Sequence, residues 1–198
     1  MHEIPPLTHV HRHTVIDLHH TITPPTSTFA VDGARLLAHA RCVDADRNLW
    51  VLQPVDMVLH SAVHLFSEGE FDHGLRDMLD MLDLVRHFAA ADCNFWPQLL
   101  DRAQELQLQR PLHHALHALA LLFGFQPPAA QAAAVRALQP ALPQRWMMAW
   151  LLGRALKPPH PGCHQVGDGL ALWLLYVRSH WLRMPVRLLV PHLVRKAW

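Results

Sequence analysis

One carboxylate stands among imidazoles in the stretch Thr14-Val15-Ile16-Asp17-Leu18-His19-His20, and that pairing of residue types suits a cation. Strand side chains alternate between faces, so an unbroken strand would put His9, His11, His13, Val15, Asp17 and His19 on one side. Its other side would carry Val10, Arg12, Thr14, Ile16 and Leu18, which is expected to face a core. The row His9, His11, His13 and His19 is one candidate metal site; a solvated His-rich terminus is the competing reading.

Asp56, His60, His64 and Asp80 form a second constellation. His60 and His64 are spaced i, i+4 and stack on one helical face, and Asp56 extends the row by one turn. Asp80 falls in the next helical segment, which a short connection would fold back toward that row. Two imidazoles and two carboxylates suit zinc, iron or manganese, or equally a buried hydrogen-bonded network that fixes helix packing. The spacing H-x-x-x-H lacks the Glu that a zinc peptidase places after its first His; Ser61 stands there. His113, His114 and His117 lie in a segment dominated by Leu and Ala and are expected on its wet face.

The third cluster is cationic. Arg178, Arg183, Arg187, Arg195 and Lys196 close the chain, with Trp181 among them, Trp198 just after them and no acid. A basic amphipathic helix with aromatic anchors suits an anionic membrane surface, and Arg interleaved with Trp suits phosphates and bases. A terminal helix docked on its own bundle, its Arg residues in water, fits as well. The cluster belongs to a wider asymmetry hidden by the net charge of +1. Residues 1–105 carry 15 acids against 7 bases, a balance of −8, whereas residues 106–198 carry 10 bases against Asp168 alone, a balance of +9. Such polarity points to a nucleotide or other phosphate-bearing ligand, a nucleic acid, a partner protein, an anionic surface, or the acidic half itself.

The elements that must position these groups read as mainly α. Apolar residues make up 51% and charged residues 17% of the 198, so the chain is a folded protein rather than a disordered one. No N-terminal segment combines positive charge with an apolar stretch, and no apolar run approaches the roughly 18 residues that span a bilayer. Cys42, Cys93 and Cys163 show no C-x-x-C spacing and are expected as small core residues with reduced thiols, in a cytoplasmic protein. Pro24-Pro25 ends the first strand, residues 31–42 read as a short helix, and residues 48–52 as a short strand. From Pro54 onward helices are expected over residues 54–66, 71–88, 94–108, 111–123, 129–138 and 142–156, then a Pro/Gly linker over 157–169 and one or two helices over 170–198. Leu75, Met78, Leu79, Leu82 and Val85 form the expected buried stripe of the second of these, and Asn94 the cap of the third. The division is therefore a short α/β segment over residues 1–53, with two or three short strands, followed by a helical bundle over 54–198.

Several nucleotide and nucleophile signatures are missing: G-x-x-x-x-G-K-[ST], G-x-G-x-x-G and G-x-S-x-G. Three blocks nevertheless occur in order: Val15-Ile16-Asp17-Leu18-His19-His20, Trp50-Val51-Leu52-Gln53-Pro54-Val55-Asp56 running into Leu59-His60-Ser61-Ala62-Val63-His64, and Leu75-Arg76-Asp77-Met78-Leu79-Asp80. Together they resemble an uncharacterised bacterial nucleotidyltransferase-like family, over about residues 9 to 123, with a weaker likeness of residues 178–196 to its basic tail. The resemblance implies a polymerase-β-like head that moves a nucleotide with two magnesium ions. These ions sit between two carboxylates that follow a Gly-Ser turn and a third carboxylate on a later strand. Asp17 occupies the place of that third acid, while His20 replaces the family's usual Trp. Neither the Gly-Ser turn nor the D-x-D pair precedes Asp17, so the resemblance implies a partial or degenerate member without transfer activity of its own. The open sheet edge of such a head would invite pairing with another chain, a second copy included.

Overall fold

The structure is a computed structural model that describes residues 3–191 except 70, 159, 186, 188 and 190. Among the described residues it contains eight α-helices and two two-stranded antiparallel sheets, so the mainly-α reading with a short α/β head holds. The chain divides into two compact units, one formed by residues up to Leu52 with the segment from Leu182, the other by Gln53–Trp181.

In the first unit β1 (Glu3–Thr8) pairs with β2 (Val15–His19), Glu3 opposite His19 and Thr8 opposite Val15. β3 (Arg41–Asp44) pairs with β4 (Leu49–Val51) as a second hairpin. Between them α1 (Gly33–Leu37) is capped by Asp32, whose carboxylate accepts from Ala34 N at 2.9 Å. The helix expected over residues 31–42 is thus only five residues long, and Cys42 sits in a strand. Gly33 is required there because a Cβ would lie 2.0 Å from the His20 carbonyl oxygen. The small core of this unit is Phe29, Val31 and Leu36 with buried Thr23, whose hydroxyl donates to the Phe29 carbonyl. Thr28 N donates to Leu182 O at 2.7 Å and the Thr26 hydroxyl to Arg183 O at 2.6 Å, tying in the returning segment.

The second unit carries the main core. α2 (Pro54–Glu68) starts with Pro54 in its first turn, where a missing N–H does no harm, and ends at Gly69 in the left-handed conformation. α3 (Gly74–Ala91), α4 (Phe95–Glu105) and α5 (Gln109–Phe123) follow, then α6 (Ala132–Ala137), α7 (Leu142–Ala155) and α8 (Asp168–Arg183). α2 and α5 are the centre, with Val58, Leu59, Ala62 and Val63 against Leu112, Ala115 and Leu119 almost wholly removed from water. On α3 the buried stripe is Met78, Met81, Leu82, Val85 and Phe88; Leu79, expected inside, is 46% exposed. Asn94 holds the N-terminal position of α4 but its side chain makes no capping bond; Asp92 accepts from Asn94 N at 2.8 Å and from Gln98 Nε2 at 3.1 Å instead. The cysteines are not core residues: Cys42 and Cys93 are exposed and Cys163 half-buried, all free thiols.

Candidate functional site

Residues 9–14 are not strand but the turn between β1 and β2, so His9, His11 and His13 do not share a face with Asp17 and His19. His9 folds back on the turn, its Nδ1 accepting from His11 N at 3.2 Å and Arg12 N at 3.1 Å, and His13 takes a positive φ of 56°. Asp17 is solvent-exposed on β2. The opposite face is not a core face either: Val10, Ile16 and Leu18 are exposed, as is Leu7 across the hairpin. A two-stranded ribbon has no second layer, so its apolar side chains stay in water unless another surface covers them.

Asp44-Ala45-Asp46, which motif reading overlooks, has D-x-D spacing but follows Asp17 and belongs to the other sheet. Asp44 is spent on its turn, accepting from Arg47 N at 3.1 Å and pairing with Arg47 Nε at 3.5 Å. The described residues therefore do not fit a magnesium pair: Asp17 is exposed on a hairpin where no group of three or more potential ligands gathers, and clamping two ions takes several convergent carboxylates. Among the described residues no group of three or more His, Cys, Asp or Glu could hold a metal ion.

The row Asp56, His60, His64 parts company along α2. Successive i+4 steps drift around a helix by about 40°, enough to turn one end of the row inward and the other outward. Asp56 is fully buried, whereas His60 and His64 are exposed with their rings stacked at 6.3 Å, and Asp80 is exposed on α3. Asp56 meets Arg102 of α4 in a two-pronged ion pair, Nε to Oδ1 at 2.8 Å and one terminal nitrogen to Oδ2 at 3.1 Å. The other terminal nitrogen reaches Glu105 at 2.8 Å. Burial works against the Arg102 charge, but the two carboxylates outweigh it and raise its pKa above the ordinary value. Asp56 lies in the first turn of α2 and Arg102 in the last turn of α4, so each charge also suits its helix end. The polar contact that fixes helix packing is real, but its partner is Arg102 and not an imidazole.

The histidines of α5 are the largest departure from the expected wet face. His113 and His114 are 7% and 1% exposed, and His117 is half-buried. Desolvation, then neighbouring charges including Arg145, hold His113 at about 4 and His117 below the ordinary value. Burial with the cation of Arg178 holds His114 at about 3. Among the described residues its Nε2 has no hydrogen-bond partner, and neither has the buried Ser67 hydroxyl. The signal lay in charge: Arg110 is the only charged side chain in the fifteen residues of α5.

The expected anion-binding cations separate as well. Arg178 turns inward, donating to the Phe66 carbonyl at 2.7 Å, and burial with Arg110 nearby lowers its pKa to about 10. Arg183 is half-buried and Arg187 exposed, while Arg195 and Lys196 lie outside the described residues. Asp168, the one acid of the basic half, is clamped by Arg154 at 3.1 Å, Lys157 at 2.9 Å and Gln165 N at 2.8 Å. The Gln165 amide, then Lys157 and Arg154, draw its pKa down to about 2. No helix of the described residues is long and apolar enough to cross a membrane.

Against known proteins, residues 2–124 match the model of a family described as uncharacterised nucleotidyltransferase, a span from β1 through α5. No curated protein and no solved structure matches.

Proposed function

The chain belongs to the uncharacterised nucleotidyltransferase family, and we propose that it is a partial or degenerate member that does not complete nucleotidyl transfer by itself. One observation carries this reading. Asp17, the carboxylate that the family likeness sets in the place of the third acid, is exposed on a two-stranded hairpin, and among the described residues no group of three or more metal-ligating side chains gathers there. Phosphoryl-type transfer relies on positioning and on charge neutralisation at several oxygens, which a lone exposed carboxylate does not supply. The helical unit would then hold a ligand or acceptor rather than run the reaction. Purified 198-residue chain incubated with radiolabelled nucleoside triphosphates and magnesium should give no metal-dependent product above a protein-free control. Metal-dependent turnover that disappears in Asp17→Ala would overturn the reading.

A second reading, a docking module with no chemistry, has its own support on the last helices. Trp146, Met147 and Trp150 of α7 are 76%, 51% and 42% exposed, and Leu170 and Trp173 of α8 are 54% and 56% exposed. Aromatic side chains in this number outside a core mark a surface that associates. Co-sedimentation with anionic vesicles and sedimentation equilibrium test it. Binding or self-association lost in the Trp146→Ser, Trp150→Ser double variant supports the module; a monomer that ignores vesicles counts against it.

A further inference from the structure

A pocket of about 210 Å³ opens between α5, α6 and the segment joining them. Its polar lining is His113 and His117 from α5, Gln126 from the connection, Arg136 from α6, and Gln139 just beyond it. Leu116 and Val135 supply an apolar wall. The two imidazoles lie one turn apart with rings 6.0 Å from each other and nearly parallel, 13° between planes, so both present edges to the same space. Every one of these polar groups can donate a hydrogen bond, and none is an acid.

The surrounding charge has the same sign. Arg145 of α7 lies near enough to bear on both imidazoles. Neither Arg136 nor Arg145 has an ion-pair partner among the described residues. The one acid of residues 106–198, Asp168, is already held by Arg154 and Lys157. A concave site with a guanidinium, two imidazoles and two carboxamides, and no counter-charge, is built to receive an anion.

We propose that this pocket binds a phosphate group, presented either as inorganic phosphate or as a small phosphomonoester. A carboxylate has two oxygens and one charge, too few for five converging donors. A phosphate offers three or four oxygens and a charge approaching −2 near neutral pH, which matches the fork of Arg136 and the two ring N–H groups together. The pocket is wider than a phosphate alone, and the Leu116–Val135 wall gives an organic substituent somewhere to lie. Asp17 is not among the lining residues, and the proposal does not depend on whether the chain transfers nucleotides.

The test is a titration of inorganic phosphate into the full chain at constant ionic strength, followed through the ring resonances of His113 and His117. Saturable shifts at these two rings, absent with chloride, are the expected result. Arg136→Gln, an exposed substitution that spares the core, should weaken binding roughly tenfold or more through the loss of a charge-assisted contact. Arg12→Gln, on the turn between β1 and β2 and outside the pocket lining, should leave it unchanged. Adenosine monophosphate then separates the sources: tighter binding with shifts at the Leu116 and Val135 methyls assigns a phosphomonoester, and equal binding assigns the phosphate group alone. No saturation at either ring up to about 20 mM, identical titrations of wild type and Arg136→Gln, or equal shifts at the exposed His9 and His160 would each sink the proposal.

Discussion

Removing Arg102 should damage the helical unit more than removing its partner Asp56, although the two share one ion pair. Asp56 is wholly buried and Arg102 is 6% exposed, so neither charge can be compensated by water when the other is lost. Unit charges about 4 Å apart at an effective dielectric near 20 attract by about 4 kcal/mol, and breaking buried pairs costs about 3–5 kcal/mol. The consequences are unequal because Arg102 keeps a second carboxylate, Glu105 at 2.8 Å, when Asp56 is gone. Arg102→Met strands the wholly buried Asp56 carboxylate without its partner and should cost about 4 kcal/mol. Asp56→Ala leaves Arg102 half-satisfied and should cost about 2–3 kcal/mol, including a small loss at the N-terminus of α2. The double variant Asp56→Leu, Arg102→Met replaces the pair with apolar groups of similar bulk and should recover at least about 2 kcal/mol of the summed loss. Urea unfolding at neutral pH, read as midpoint at constant slope, measures all three. If Arg102→Met costs less than about 1 kcal/mol, or Asp56→Ala costs more than Arg102→Met, the buried-pair account is wrong.

His114 should make the fold acid-sensitive. Its folded pKa of about 3 lies below the unfolded 6.5, so the unfolded chain takes up the proton first and stability falls as pH drops through that window. At about 1.4 kcal/mol per pH unit, reaching about pH 4.5 removes about 3 kcal/mol through this residue. His114→Leu should roughly halve that dependence, His113 at about 4 supplying much of the rest, and an undiminished slope in urea midpoints would exclude His114 as a source. Gly69→Ala should lower stability by about 2–4 kcal/mol, from a left-handed backbone and from added bulk in a filled space. The φ of 75° and the 2.5 Å that would separate an added Cβ from Ser179 Cβ give the two causes. A thermal midpoint within about 1 °C of wild type would contradict both. Metal analysis of tag-free protein should find less than about 0.2 zinc, iron or manganese per chain, because His60, His64, Asp80 and buried Asp56 do not converge; stoichiometric metal would restore that site.

The helices were legible because their apolar residues repeat at helical spacing and prolines or glycines mark their ends: Pro54 opens α2, Gly124 ends α5. The head was harder to read. β1 contains Pro5 and Pro6, which argue against a strand everywhere except in an edge ribbon such as this one. β3 is four residues long and follows a helical-looking run, so its apolar members pass for the end of a helix. Burial of whole faces was invisible for another reason. The sequence shows that α5 is apolar but not that α2, α3, α4 and α7 all pack on it, and that crowding is what turns His113 and His114 inward. Arg102 could have been found. Asp56 interrupts an apolar row, and Arg102 sits beside Leu99, Ala103 and Leu106 at core spacing, each charge asking for the other across 46 residues.

The ion pairs seen among the described residues bear on the charge asymmetry between the two halves of the sequence. Asp44 pairs with Arg47, Asp56 with Arg102, and Asp168 with Arg154 and Lys157, each within its own half. Arg178 satisfies itself on a backbone carbonyl, which quenches hydrogen-bonding capacity but no charge. Among the described residues Arg110, Arg136 and Arg145 therefore remain as uncompensated positive charge around α5 to α7, close to imidazoles kept neutral by burial. An anion entering there meets Arg136 in the lining and Arg145 near both imidazoles without displacing an internal partner, and it favours the protonated form of His113 and His117 that Arg145 opposes. That is why the phosphate reading rests on the α5–α6 pocket rather than on the basic C-terminal segment. Among the described residues the terminal arginines are spread between interior and solvent, whereas here Arg136 lines the pocket and Arg145 bears on both of its imidazoles.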